Sequence, residues 1–300
     1  MSSYLRRVTL TREPHNGLPE PSRTAIVRST QRLKPHKKQI LRYRAGCAPV
    51  RRSDELAVEE PLEIQVDTRP VSVTMRTPGH DDELAAGFLL TEGILHARAD
   101  VSGITPYARN EKQNVIGVFL APDVTVDFAQ LTRHVFASSS CGLCGKATID
   151  AVHQHFPPVR GKFRIALNTL LSLPARMRER QETFDRTGGL HAAALFDAQG
   201  QLLVLREDVG RHNAVDKVIG HAFLGGQFPL DQQLLLVSGR ASFEILQKAL
   251  AAHIPVVCAV SAPSSLAVEF ARASGQTLVG FLRGEGMNVY AHPRRIAAGK

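Results

Sequence analysis

The second half of the chain alternates between short, wholly apolar runs and longer segments with helical periodicity. QLLLVSG (233–239), PVVCAVSA (255–262) and TLVGFL (277–282) read as buried strands. SFEILQKALAAH (242–253) and SSLAVEFARAS (264–274) read as the helices between them. Strands that are apolar on both faces and separated by helices predict parallel pairing in a sheet covered on both sides. Right-handed crossovers then bring the loops after Val237, Val260 and Leu282 to one edge of that sheet. Open α/β sheets bind ligands at that edge. The expected fold class is α/β.

Upstream the pattern changes. Residues 62–66 and 71–75 alternate partially, with a turn over 67–70, and predict a pair of strands. The segment 80–94 looks helical, with Asp81 or Asp82 placed to cap it and Leu84, Phe88 and Leu89 on one face. Residues 113–119 and 124–128 are further strand candidates, 147–156 and 169–182 helix candidates. LHAAALFDAQGQLLVLRED (190–208) reads as a hairpin turning at 197–200, followed by a helix over 211–223. Three regions result: an extension over 1–58, a smaller β-rich subdomain over 59–135 and an α/β core over 136–292.

Charge sharpens this division. The net charge is +9, yet residues 1–52 hold thirteen Lys and Arg against two acids, Glu13 and Glu20. That segment carries about +11 and the remainder about −2. The high net charge therefore belongs to the extension, which is expected to be solvated and without order. Nucleic-acid binding would rest on it alone. No apolar run is long enough to span a membrane, and the first residues lack the apolar stretch of a secretory signal, so the cytoplasm is the expected compartment.

Four cysteines in 300 residues do not make a disulfide scaffold. Two of them form the motif Cys141-Gly-Leu-Cys144, inside SSSCGLCGK (138–146). A thiol pair at this spacing can exchange sulfur, cycle as a dithiol, hold a structural zinc, or be incidental. A helix start and Lys146 nearby would favour the thiolate. Zinc would need two more ligands, and there is no second Cys-x-x-Cys; Cys258 lies in an apolar strand and reads as core. A thioredoxin-like motif would have an aromatic before the first Cys, where Ser140 stands. No permanent metal is expected.

Two further groups of residues could hold a ligand. Arg206-Glu-Asp-Val-Gly-Arg-His-Asn213 joins the hairpin to a helix and puts Arg211 and His212 in a first helical turn, suited to an anion. The alternative is helix capping by Asp208 with a set of surface ion pairs. The sheet-edge loops supply Ser238, Arg240 and Ser261, with Arg283, Gly284, Glu285 and Gly286 able to close over the same ligand. None matches a P-loop or a dinucleotide fingerprint, and each alone is equally an N-capped turn. His191, after Gly188-Gly189, is either a ligand-site residue or a hydrogen-bonded core histidine.

The series EEPLEIQV (59–66), VTMRTPG (73–79), DELAAGFLLTEGI (82–94), SSSCGLCGK, TGGLHAAALFD (187–197), REDVGRHNAVDKVIG (206–220), SGRASFEILQKA (238–249), AVSAPSSLAVEFA (259–271) and TLVGFLRGEGMNVY (277–290) resembles the formate dehydrogenase accessory protein family, FdhD. The resemblance runs from about Glu59 to Tyr290 and leaves residues 1–58 uncovered. It implies a sulfur carrier that takes persulfide sulfur from a cysteine desulfurase. The sulfur would pass to the molybdenum cofactor, in its bis-molybdopterin guanine dinucleotide form, before insertion into formate dehydrogenase. Carried over, Cys141 is the persulfide-bearing residue and Cys144 its partner in relay or resolution. Phe281, Leu282, Arg283, Gly284, Glu285 and Gly286 match the cofactor-binding segment.

The resemblance also implies a homodimer and a cytidine-deaminase-like α/β sandwich core. Deaminases use a His-x-Glu and Pro-Cys-x-x-Cys zinc set. Here Ser140 replaces the Pro, and Ala193 stands where the Glu after His191 would be. The fold can thus be shared without zinc hydrolysis. Two other readings stay in view: a cofactor-binding chaperone without sulfur chemistry, and a zinc hydrolase.

Overall fold

A computed structural model describes residues 35–107, 114–126, 128 and 156–297. Its centre is a six-stranded sheet. The three apolar runs form β10 (Leu234–Val237), β11 (Val256–Ala259) and β12 (Thr277–Arg283), and they pair in parallel, Leu236 with Cys258 and Cys258 with Val279. Antiparallel strands flank them. β8 (His191–Phe196) pairs with β10 and with β9 (Leu202–Asp208), and β13 (Gly286–Ala291) pairs with β12. The spatial order is β13-β12-β11-β10-β8-β9, a mixed sheet.

Alternate residues of these strands enter two cores, as the two-residue period of a strand dictates. Ala193, Leu195, Leu235, Val237, Val257, Ala259 and Leu278 face the larger one. Leu234, Leu236, Val256, Cys258 and Val279 face the smaller one, beneath α2 (Leu167–Arg178) with Leu170, Leu173 and Met177. The expected helix over 169–182 is in fact α2 followed by a separate short helix, α3 (Glu182–Thr187).

The larger core holds α1 (Asp81–Thr91), α4 (Arg211–Leu224), α5 (Phe243–Ala251) and residues of α6 (Ser265–Ser274). It also holds Leu62, Ile64 and Val66 of β3 (Glu60–Val66). β3 lies between β4 (Arg69–Arg76) and β6 (Val115–Leu120), and β5 (Val101–Tyr107) completes a four-stranded sheet. One contiguous core thus serves both the β-rich region and the α/β region. Residues 124–126, expected in a strand, lie outside any element.

Helices α1 and α4 cross with almost no space between their backbones. A Cβ on Gly87 would overlap the Asp216 carbonyl, and one on Gly220 would overlap the Glu83 carbonyl. α1 is buried nearly all round and so has no polar face. Its N-cap is His80, in the left-handed region at φ 58°, rather than Asp81 or Asp82. Asp81 instead takes two hydrogen bonds from buried Arg76, at 3.0 and 2.8 Å.

The basic extension also departs from expectation. Its described part forms a hairpin, β1 (His36–Arg44) and β2 (Cys47–Leu56), turning at Ala45-Gly46 with Gly46 at φ 75°. Leu41, Tyr43 and Val50 are exposed on it, and its base is held by Arg186 to Glu55 at 2.7 Å. Charged residues interrupt any alternation along both strands, which hides the pairing from a periodicity reading. Among the described residues no helix is long and apolar enough to cross a membrane.

Candidate functional site

Because β10, β11 and β12 are parallel, the loops after them meet at one edge. They are stitched together there. Val260 N–H donates to the Val237 carbonyl (3.1 Å), Ala241 N–H to Ala262 (3.2 Å), Ser264 N–H to Ala241 (3.0 Å) and Phe281 N–H to Ser261 (3.0 Å). Gly280 permits the last contact, since a Cβ there would sit 2.8 Å from Pro263 and 3.0 Å from the Tyr290 ring. Ser238 extends the β8 ladder: its N–H donates to the Ala192 carbonyl and its Oγ accepts the Ala192 N–H, both at 2.9 Å.

A cleft of about 750 Å³ opens at this edge, with His191, Ser238, Val260 and Gly284 in its wall and Phe184 and Gly188 on its rim. His191 pairs across the sheet with Asp208 and is half-buried; its Nδ1 lies 3.3 Å from where a Cβ on Gly239 would be. Burial pushes its pKa down, and the cations Arg211 and Arg240 push it down further against Asp208. His191 is therefore a neutral imidazole at pH 7, able to donate from one nitrogen and accept at the other.

The electrostatics around it favour an anion. Asp208 is fully buried and already engaged, with Lys217 Nζ at 2.7 Å, Gly210 N–H at 2.8 Å, Asn213 Nδ2 at 3.0 Å and Thr77 N–H at 3.1 Å. The expected capping and surface ion pairs are thus a buried network that fixes the Gly210–Arg211 turn. Arg211 opens α4, and its buried Nε has no hydrogen-bond partner among the described residues. Two guanidinium groups near a neutral histidine, with a spent carboxylate, suit a diphosphate-like group, although Arg211 and Arg240 stand behind the residues that line the cleft rather than among them.

The other predicted residues fall in several places. Arg283 and Gly284, Glu285 and Gly286 are exposed in the tight turn between β12 and β13, Gly284 at φ 57°. Phe281 is held at φ 52°, an uncommon conformation for a side-chain-bearing residue, and Arg283 lies over its ring at 5.5 Å. Leu282 points the other way, fully buried in the smaller core. His212 is buried between α4 and α5, its Nε2 3.5 Å from Ser242 Oγ and 3.9 Å from Glu244. Ser261 serves the loop through its carbonyl. Cys141 and Cys144, with residues 147–155 of the helix expected over 147–156, lie outside the described residues, and Phe156 lies in no element. The α2–α3 side of the cleft, including Met177 and Phe184, went unread; only Gly188-Gly189 hinted at it.

Comparison with known proteins gives this arrangement a family. The chain matches the FdhD/NarQ family over residues 57–297, and it belongs to that family. A protein of Streptomyces avermitilis named sulfur carrier protein FdhD is 52% identical, over 87% of this chain and 95% of its own. The protein of that name from Mycobacterium tuberculosis is 52% identical over 85% of this chain and 96% of its own. Among solved structures, one described as a candidate formate dehydrogenase accessory protein, from Desulfotalea psychrophila, superposes with a TM-score of 0.72 at 25% identity, over 88% of this chain and all of its own.

Proposed function

We propose that this protein is a sulfur carrier serving formate dehydrogenase. The reading is carried by its half-identity, over nearly full length, to relatives bearing that name. In it, the Cys141 thiolate attacks the outer sulfur of a cysteine desulfurase persulfide. The new S–S bond leaves Cys141 as the persulfide and the desulfurase cysteine departs as thiolate. Cys144 thiolate then attacks the inner sulfur of Cys141. A Cys141–Cys144 disulfide forms, and sulfur leaves at the sulfide level for the molybdenum of the substrate cofactor. The two electrons come from the thiol pair, and a cellular dithiol reduces the disulfide for the next cycle.

The cofactor, bis-molybdopterin guanine dinucleotide, is cargo on this reading, and the cleft at the sheet edge receives it. Arg211 and Arg240 hold a diphosphate, and neutral His191 donates a hydrogen bond without adding charge. The exposed turn Arg283–Gly286 closes over the ligand. A cytoplasmic location, a homodimer and a deaminase-like core without zinc hydrolysis belong to the same proposal. What supports the last is the sheet with helices on both faces and Ala193 in place of a glutamate.

The test is complementation of a strain lacking its own carrier. Cys141→Ala and Cys144→Ala are expected to abolish formate dehydrogenase activity at normal carrier levels. Full activity in both would favour a chaperone without sulfur chemistry.

A further inference from the structure

At the opposite edge of the sheet, where β12 begins, lies a second cleft of about 740 Å³. Residues 159–164 form one wall, residues 292–295 the other, and Gly275 the floor. The walls are tied in place. Gly275 ends α6 at φ 75°, and a Cβ there would sit 3.0 Å from the Val159 carbonyl. Val159 N–H donates to Ser274 (2.9 Å) and Arg164 Nη1 to the Arg294 carbonyl (2.7 Å). Just beyond, β7 (Ile165–Ala166) and β14 (Ile296–Ala297) pair in parallel and join the two walls.

The polar lining is cationic: Lys162, Arg164, Arg294 and Arg295, with His292. Among the described residues no Asp or Glu lines the cleft. None of these four Lys and Arg has a carboxylate partner among the described residues. Arg295 is the informative member. Its Nη1 donates to the Gly275 carbonyl (2.7 Å) and Thr277 Oγ1 (3.2 Å), which fixes the side chain against the floor. Its Nε is buried and has no hydrogen-bond partner among the described residues, and burial works against its charge. A part-buried guanidinium with an unmet donor, beside three like charges and no carboxylate, is unfavourable unless an anion completes it.

We propose that this cleft is a binding site for a phosphate-class oxyanion, supplied as free inorganic phosphate or as the phosphate of a nucleotide. Planar guanidinium groups match such an anion through paired N–H donors, and the lysine adds a point charge. The site stands apart from the sulfur-carrier reading, since it shares no residue with the other cleft.

Calorimetric titration of the full chain at fixed ionic strength, with inorganic phosphate, pyrophosphate and ADP, tests it. Saturable binding is expected, weakened about tenfold or more in Arg164→Gln/Arg294→Gln, each lost charged hydrogen bond being worth about that factor. Lys162→Gln, at an exposed side chain, should weaken it by a smaller factor and covers the case in which the double variant misfolds. Arg211→Gln/Arg240→Gln should leave this class of sites intact. Saturation by phosphate or pyrophosphate identifies the free anion as ligand, and saturation by ADP alone identifies a nucleotide. No saturable binding of any probe to wild type, or an isotherm unchanged in both cleft variants, overturns the proposal.

Discussion

Lys248→Met isolates the buried ion pair that locks three helices together. Lys248 on α5 reaches both oxygens of Asp216 on α4, at 2.9 and 2.8 Å, and Thr91 Oγ1 at the end of α1, at 2.9 Å. The side chains are 9% and 3% exposed, so water screens the pair little. Methionine keeps most of the apolar stem and removes the charge, which leaves Asp216 with the Thr91 hydroxyl, at 2.9 Å, as its one side-chain partner among the described residues. Breaking a buried pair from one side costs about 3–5 kcal/mol. For a chain of this size that lowers Tm by about 10 °C.

The loss should depend on pH. Burial pushes the Asp216 carboxyl above its ordinary value even with Lys248 pulling it down. Without Lys248 it rises further. An acid that binds its proton more tightly in the fold stabilises fully below its unfolded pKa, about 3.9, and loses that contribution as pH rises through the folded value. The deficit of Lys248→Met should therefore be smaller at pH 5 than at pH 8. Urea unfolding at the two pH values is the assay. Lys248→Met/Asp216→Leu, which removes both charges, should recover most of the loss. A single variant within about 1 kcal/mol of wild type at pH 8, or a double variant no better than the single, would refute the reasoning.

Gly220→Ala should destabilise although alanine favours helices by about 1 kcal/mol. Its Cβ would overlap the Glu83 carbonyl and lie 2.7 Å from Gly87 N, an overpacking cost of about 1–3 kcal/mol or more; a raised Tm would contradict the tight α1–α4 crossing. Cys258 is fully buried, and burial pushes its thiol far up, so native protein should be alkylated by iodoacetamide at exposed Cys47 and not at Cys258. Peptide mapping after labelling reads this directly.

How much of this was legible depended on how each element is stabilised. The parallel core was readable because β10, β11 and β12 are apolar on both faces and alternate with helices of clear period. β5 was not: Ser102, Gly103 and Pro106 break its pattern, and it is held by pairing with β6. β13 is largely exposed and carries no alternation. The sheet-edge loops could be placed from strand direction alone. The company of His191 could not, because β8–β9 pairing sets it opposite Asp208 and beside Arg211 and Arg240, far apart in the chain. Leu282 shows the limit of a motif match: it lies inside a cofactor-binding segment by resemblance, yet the break in strand register at left-handed Phe281 turns it into the smaller core with Val279.

The central claim is that Cys141 carries sulfur. It is tested most directly by intact mass spectrometry after incubation with a cysteine desulfurase and cysteine. Wild type should gain the mass of one sulfur atom, reversibly by reductant. Cys144→Ala should retain that gain, having lost the resolving thiol, and Cys141→Ala should show none. No gain in wild type, or an equal gain in Cys141→Ala, would contradict the account.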